Sequence, residues 1–96
     1  MIETDFEWNE AKNLENQNRH GVSFHEAQHA FFDNRRVIAK DVAHSKDEER
    51  FYCFGSNRDG TGILTVGFTF RNQKIRIIGA GYWRRGKKIY EQTHSI

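Results

Sequence analysis

Polar and apolar positions in the N-terminal third of the chain follow a helical period. Asn9 can cap a first helix that runs to about His20, where Gly21 would end it in a left-handed conformation. Ser23 opens a second helix, with Glu26 three residues on as in a capping box. The apolar positions of this second helix are Phe24, Ala27 and Phe31. At roughly 100° per residue they share one face, which predicts a helix packed on a core.

After Asp33 the spacing of apolar positions changes from a helical period to a period of two residues, which is typical of strands. Four strands are predicted, at residues 37–40, 51–55, 63–70 and 75–80. Residues 57–60 and 71–73 have the composition of hairpin turns, so neighbouring strands should be antiparallel. Residues 6–8 form a short extended start. The predicted fold class is α+β, with two N-terminal helices packed on a four-stranded antiparallel sheet and a basic C-terminal segment that could be helical.

The composition fits one folded domain spanning residues 1–96. Hydrophobic residues make up 36% of the chain and aromatic residues 14%, which is too much apolar material for a disordered protein. No apolar run approaches the ~18 residues of a membrane helix, and the first twenty residues contain no secretory signal. The single cysteine, Cys53, cannot form an internal disulfide. These features predict a cytoplasmic protein with no membrane partner.

Charge is distributed unevenly along the chain, although the net charge is only +2. Seven basic residues and no acidic residue lie between Arg71 and Tyr90, and aromatic rings are interleaved with them. Such a segment suits a nucleic acid, because phosphates attract the cations and unstacked bases stack on the rings. The alternative is a solvated positive surface that only aids solubility.

The polar segment 44–50 joins two predicted strands and contains an imidazole, carboxylates and a guanidinium. Cleavage of RNA without a metal requires a base for the 2′-hydroxyl, an acid for the leaving 5′-oxygen and cations for the phosphate. His44 or a carboxylate could be the base, and Arg50 and Arg76 could bind the phosphate. The alternative is an exposed connecting loop whose charges pair with one another.

Residues 25–29 match the H-E-x-x-H pattern of zinc peptidases. In those enzymes two imidazoles on one helical face bind the metal and the glutamate is the general base. Here His25 and His29 lie opposite the apolar stripe, and Glu26 is placed to cap its own helix. A third ligand is also needed, and His44 is the candidate that the sequence offers. Two surface histidines are therefore expected, with a zinc hydrolase as a remote alternative.

The sequence resembles the BrnT toxin family over nearly its whole length. The matching positions are Phe6, Glu7, Trp8, Lys12, Asn16, residues 19–24, Glu26, Ala27, Phe32, Asp33, Asp41, His44, Ser45, residues 48–50, Gly55, Thr69, Arg71, residues 76–78, Tyr90 and Glu91. The resemblance implies a ribonuclease toxin of a type II toxin–antitoxin system, with a RelE-like fold and RNA as its substrate. It also implies a ribbon-helix-helix antitoxin of the BrnA kind, through which the complex would bind operator DNA.

The resemblance, together with the polar segment 44–50 and the basic, aromatic C-terminal block, predicts roles for individual residues. Arg50 and Arg76 would bind the scissile phosphate, and His44 or Glu49 would move protons. The residues expected to hold the RNA backbone are Lys12, Arg84, Arg85, Lys87 and Lys88. No metal or other cofactor is implied, because the family pattern admits other residue types at positions 25 and 29.

This chain departs from the family pattern near its C-terminus. The family commonly has Ser-Ala-Arg at positions 79–81, where this chain has Gly-Ala-Gly, and a Glu-Arg pair where it has Lys87 and Lys88. Arg84 and Arg85 could replace the arginine that is absent at Gly81. The departure keeps open a non-catalytic module that binds the antitoxin as a co-repressor. In either case we expect two toxins on one antitoxin dimer, with an acidic or amphipathic antitoxin segment across the basic surface.

Overall fold

The computed structural model describes residues 5–95. The helices are α1 (Glu10–His20), α2 (Phe24–Ala27) and α3 (Arg84–Thr93), and the strands are β1 (Phe6–Glu7), β2 (Val37–Lys40), β3 (Arg50–Ser56), β4 (Ile63–Arg71) and β5 (Lys74–Gly81). Short 3₁₀ turns span Gln28–Phe32 and Val42–His44. None of the helices within residues 5–95 is long and apolar enough to cross a membrane. The predicted α+β class is confirmed.

The sheet differs in detail from the predicted four antiparallel strands. It has five strands in the order β1-β5-β4-β3-β2, and β1 runs parallel to β5, with Phe6 opposite Ile75. The long connection that parallel strands require is supplied here by nearly the whole intervening chain. The predicted extended start is therefore an edge strand of only two residues, which is too short to display a period. The basic C-terminal segment, for which a helix was one possibility, forms the helix α3.

The predicted ends of the first helix are confirmed, whereas the second helix is shorter than expected. The Asn9 side chain accepts a hydrogen bond from the Lys12 amide at 3.0 Å, and Gly21 follows the last turn with φ 69°. The Ser23 hydroxyl likewise accepts from the Glu26 amide at 3.0 Å, but α-helix gives way to a 3₁₀ turn after Ala27. The Glu26 carboxylate accepts from the Tyr82 hydroxyl, so it ties the helix to the far end of β5.

One face of the sheet forms the hydrophobic core with α1, α2 and the first 3₁₀ turn. The buried residues of this core cluster are Val22, Phe24, Ala27, Ala30, Cys53, Leu64, Val66, Phe68, Ile77 and Ala80. Alternation along the strands sends the remaining side chains to the opposite face. Helix α3 covers one end of that opposite face, where a Cβ at Gly86 would lie 1.8 Å from the Thr65 hydroxyl oxygen. The rest of the opposite face is open, and we call it the open face.

The buried side chain of Asn16 and the partly buried side chain of Asp33 fix the edges of this arrangement. Asn16 of α1 lies beside β5, where its amide donates to the Ala80 carbonyl at 2.9 Å and accepts from the Ala80 amide at 3.2 Å. It thereby occupies the β5 edge in the manner of a neighbouring strand. Asp33 accepts from the Tyr90 hydroxyl at 2.7 Å and from the Ser56 amide at 2.9 Å, which anchors α3 to the end of β3. Burial acts to raise the pKa of Asp33, but these hydrogen bonds outweigh it and the pKa lies below its ordinary value.

Candidate functional site

A row of charged and polar side chains crosses the open face. Strand register places Arg50 of β3 opposite Thr69 of β4, Thr69 opposite Arg76 of β5, and Arg76 opposite Glu7 of β1. Because neighbouring strands lie about 4.8 Å apart, the main chains at Arg50 and Arg76 are separated by roughly 10 Å. The structure therefore brings the two predicted phosphate-binding arginines to one face, on either side of Thr69.

Carboxylates hold both arginines in place. Arg76 Nη1 lies 3.2 Å from Glu7 Oε2, and both side chains are about three-quarters buried. Arg50 Nη2 lies 3.8 Å from Glu48 Oε1, and Glu48 also accepts from Arg71 at 3.2 Å. The buried Nε of Arg50 has no hydrogen-bond partner among residues 5–95. Since each guanidinium carries five N–H groups, these pairs leave donors available to a phosphate.

His44 stands beside this row with its own carboxylate partner. Its Nδ1 lies 2.8 Å from Asp41 Oδ2, and the imidazole is largely exposed whereas the Asp41 side chain is only 12% exposed. Burial acts to raise the pKa of Asp41, but the hydrogen bond and the charge of His44 outweigh it, so that the pKa lies below its ordinary value. An ionised carboxylate is only an acceptor, so it places the imidazole proton on Nδ1. The lone pair of neutral His44 is then on Nε2.

Hydrogen bonds to the start of β3 fix the loop that carries His44. The Asp41 amide donates to the Arg50 carbonyl at 2.8 Å, which extends the pairing of β2 and β3 by one residue. The Ser45 hydroxyl accepts from the Arg50 amide at 2.9 Å and donates to the Asp41 carbonyl at 2.6 Å. The loop therefore folds back on Arg50, and the imidazole and the guanidinium come to line the same cavities.

Three adjoining cavities open on this part of the molecule, and His44 lines all of them. The first, of about 630 Å³, also contains Glu48, Arg50 and Arg71. The second, of about 250 Å³, lies over the middle of the sheet and includes Arg50. The third, of about 660 Å³, extends toward α3 and includes Arg85. The imidazole therefore lies where the loop before β3, the sheet and α3 meet.

Of the predicted proton-transfer residues, Glu49 lies outside these cavities. Its carboxylate is 68% exposed and 3.5 Å from Lys40 Nζ. Alternation explains this position, because residue 49 and residue 50 project to opposite faces. Glu48, two residues before Arg50, lies on the same side as the arginine. Residues 46–48 form a bend before β3, so strand alternation in the sequence predicts neither the side on which Glu48 lies nor the contact between Asp41 and His44.

The five predicted backbone-binding cations do not form a single surface. Arg85 lines the cavity of about 660 Å³ beside His44. Arg84 and Lys87 line a separate groove of about 820 Å³ on the other side of Trp83. Lys12 contributes to a small cavity of about 220 Å³ beside α1, and Lys88 lines none of the five cavities described. Arg85 is therefore the predicted backbone-binding cation that shares a cavity with His44.

The H-E-x-x-H motif does not lie on one continuous α-helix. Helix α2 ends at Ala27, so His29 lies in the following 3₁₀ turn, where its ring meets Phe32 edge-on at 5.6 Å. His25 Nδ1 is 3.2 Å from the Gln28 side-chain amide. In the part of the chain that the structure describes, no group of three or more metal-ligating side chains is present.

Comparison with known families bears on this site. A family model described as the ribonuclease toxin BrnT of type II toxin–antitoxin systems matches residues 8–86. The match includes His44, Arg50 and Arg76 and ends at Gly86, within α3. Among curated proteins, none matches the chain. Because the family model covers most of the 96 residues, the chain belongs to the BrnT family of ribonuclease toxins.

Proposed function

We propose that this protein is a metal-independent endoribonuclease that cleaves RNA on its open face and thereby inhibits translation. The observation that carries the proposal is the placement of His44, held by Asp41, in the same cavities as Arg50. An oriented imidazole beside a guanidinium provides a base and a phosphate-binding group within one site.

In the proposed reaction, His44 Nε2 takes the proton of a ribose 2′-hydroxyl. The 2′-oxygen then bonds to the adjacent phosphorus, the bond from phosphorus to the 5′-oxygen breaks, and that oxygen takes a proton from water. The products are a 2′,3′-cyclic phosphate and a free 5′-hydroxyl. Arg50 and Arg76 stabilise the negative charge that grows on the phosphate, and Asp41 stabilises the imidazolium. Each such donor typically contributes ~10²–10³ in rate.

The test is RNA cleavage by the purified protein in the presence of a chelator, together with growth arrest on induced expression. Arg50→Ala and Arg76→Ala should each lose cleavage by ~10²–10³ and relieve the growth arrest. Arg58→Ala is the matched control, since it removes an exposed arginine from the turn between β3 and β4, outside the cavities described above. Full toxicity of both Arg50→Ala and Arg76→Ala would contradict the site assignment. Intact RNA with antitoxin binding retained would instead indicate a non-catalytic module.

We propose further that a ribbon-helix-helix antitoxin neutralises the protein by covering the open face. Membership of a type II toxin family implies an antitoxin, and the exposed cations of the open face suit an acidic segment. Such a segment would lie across Arg76 and Arg84, and the antitoxin dimer would carry two toxins and bind operator DNA. Light scattering on the co-purified complex tests the stoichiometry. A mass that fits one toxin per antitoxin dimer, or a C-terminal helix as sensitive to protease as in the free toxin, would contradict this model.

A further inference from the structure

The middle of the open face is a pocket with a floor of bare main chain. Tyr52 of β3 lies opposite Gly67 of β4, and Gly67 lies opposite Gly79 of β5. These positions form one row of the sheet, adjacent to the row that contains Arg50 and Arg76. Since two of the three residues have no side chain, a pocket of about 250 Å³ remains above the sheet.

Folding does not require glycine at either floor position. A Cβ at Gly67 would approach no atom closer than 3.8 Å, and one at Gly79 none closer than 3.9 Å. Neither residue has a positive φ, unlike Gly21 and Gly60. A glycine inside a strand weakens the sheet, and it often marks a place where a ligand approaches the main chain closely. Neither backbone conformation nor the space for a Cβ therefore explains the glycines of the floor.

Aromatic side chains form the walls of the pocket. Tyr52 stands on one side, and the indole of Trp83 stands on another. Trp83 lies directly against Gly81, where a Cβ would come within 2.6 Å of the ring carbons, and its ring meets His20 edge-on at 5.1 Å. The indole is therefore fixed in position although it is 41% exposed. Ile78, the unpaired residue of a β-bulge opposite Gly67 and Phe68, adds an apolar side wall.

The rim of the pocket carries the polar groups of the proposed reaction. Asp41, His44 and Arg50 all line it. Pockets for drug-sized ligands measure about 300–1,000 Å³, so this one suits a smaller, flat group. Burial raises the pKa of the Tyr52 hydroxyl, and the neighbouring Asp41 carboxylate adds to the shift. The hydroxyl therefore remains a hydrogen-bond donor at the edge of the pocket.

We propose that this pocket binds one nucleobase of the RNA substrate, next to the phosphate that is cleaved. The base would lie over Gly67 and Gly79 between Tyr52 and Trp83, with its ribose and phosphate directed toward His44 and Arg50. The proposal rests on the ribonuclease function proposed above. Stacking of a base on an aromatic side chain typically strengthens binding roughly tenfold to a hundredfold.

Equilibrium binding of small ligands tests the pocket without any cleavage. The probes are the four nucleoside 3′-monophosphates, and ribose 5-phosphate is the probe without a base. The 3′-monophosphates should bind at least tenfold more tightly than ribose 5-phosphate and should shift the NMR signal of the Trp83 indole N–H. Gly79→Leu fills the pocket and should abolish that difference, while Gly79→Ala, for which the space exists, should fold normally and reduce it.

A second pair of variants separates stacking from general surface effects. Trp83→Leu should weaken nucleotide binding about tenfold or more, and Trp83→Phe should restore part of the loss. Tyr82→Leu is the matched control, because Tyr82 is equally exposed, at 43%, but lines the groove of about 820 Å³ rather than the pocket. Nucleotide binding that is no tighter than that of ribose 5-phosphate, or that Gly79→Leu and Trp83→Leu leave unchanged, would overturn the proposal.

Cleavage of an RNA that lacks one base distinguishes this proposal from the ribonuclease function itself. Removing the base beside the cleaved phosphate should slow the wild-type protein at least tenfold and should have no further effect on Gly79→Leu. Equal cleavage of both RNAs by the wild type would overturn the pocket and leave the ribonuclease function standing. Base-dependent nucleotide binding without cleavage of any RNA would support the pocket and overturn the ribonuclease function.

Discussion

The two faces of the sheet are built from the same strands, yet they carry different residues and have different roles. Along β4, the side chains of Leu64, Val66 and Phe68 enter the helix-covered core and are almost completely buried. The intervening positions include Gly67 and Thr69, which face the opposite side. Alternation therefore separates two tasks along one strand, because apolar burial stabilises the fold on one face while the other face remains available for a ligand.

The charged groups of the open face are paired but contribute little to stability by that pairing. Glu48 lies near both Arg50 and Arg71, and all three side chains are about one-third to one-half exposed. Ion pairs of this exposure typically contribute ~0–1 kcal/mol. The comparison therefore predicts that substitutions in the core lower the free energy of unfolding, whereas substitutions on the open face lower RNA cleavage.

The largest expected effect is on the core face. Phe24 is completely buried and meets Trp8 edge-on at 6.2 Å. Phe24→Ala should lower the free energy of unfolding by ~3–5 kcal/mol, because the truncation leaves a cavity. Urea denaturation measures this loss. Phe70→Ala is the control, since Phe70 is 61% exposed and should lose less than half as much. Equal losses would mean that the exposed aromatic side chains share the stabilising role of the core.

On the open face, His44→Ala should separate function from stability. Loss of a general base typically slows a reaction by ~10²–10⁴, while an exposed side chain changes the unfolding free energy by only ~0.5 kcal/mol. His25→Ala is the matched control, since His25 is also exposed but lies on α2, away from the cavities. Cleavage and denaturation are measured on both variants. A loss of cleavage in His25→Ala that zinc restores would instead favour the metal-dependent alternative.

Asp33 connects α3 to the end of β3. The hydrogen bond that it accepts from Tyr90 makes the free energy of unfolding depend on pH. Tyr90→Phe should lower the free energy of unfolding by ~1.5–3 kcal/mol at neutral pH, since a hydrogen bond to a charged group is lost. The native pKa of Asp33 lies below the ordinary value of 3.8, so ionisation of this carboxyl favours folding.

The sign of the pH dependence follows from that lowered pKa. The contribution of Asp33 is complete above the unfolded value near 3.8, and it is lost as the pH falls through the lower native pKa. The difference in stability between the wild type and Tyr90→Phe should therefore be constant from pH 7 to 5 and shrink below pH 4. Thermal denaturation across this range measures it. A difference that grows on acidification would contradict the role of Asp33.

The sequence predicts the helix-covered face better than the open face, and the reason is physical. Caps and periods are local signals, so Asn9, Gly21 and Ser23 locate the helix ends, and alternation locates β2 to β5. Pairing between strands that are far apart in the sequence leaves no signal in the local residue pattern. Strand β1 has two residues, and its parallel partner Lys74–Gly81 lies far along the sequence.

Helix α3 and the pocket also depend on contacts that no local pattern records. Glycine is unfavourable inside a helix, yet Gly86 lies within α3. Glycine is needed there because the helix approaches Thr65 too closely for any side chain. Gly67 and Gly79 are 12 residues apart and meet only through the register of β4 and β5. The residue chemistry of the sequence, supported by the family resemblance, predicted Arg50, Arg76 and His44 as site residues, and these residues lie on or beside one face. Only the structure distinguishes Glu48 from Glu49.

The smallest expected effect compares those two adjacent carboxylates. Glu48→Gln should strengthen RNA binding a few-fold at low salt, because the carboxylate no longer competes with phosphates for Arg50 and Arg71. One cation becomes free to pair with RNA, so the plot of log affinity against log salt should steepen by up to about one unit. Glu49→Gln removes the same charge but only an exposed pair with Lys40, so it should change neither the affinity nor the slope. Filter binding of an RNA oligonucleotide from 50 to 200 mM salt, on a His44→Ala background to prevent cleavage, measures both quantities. Identical slopes for the two variants would mean that Glu48 and Glu49 affect RNA binding only through the net charge, and not through their different positions relative to the open face.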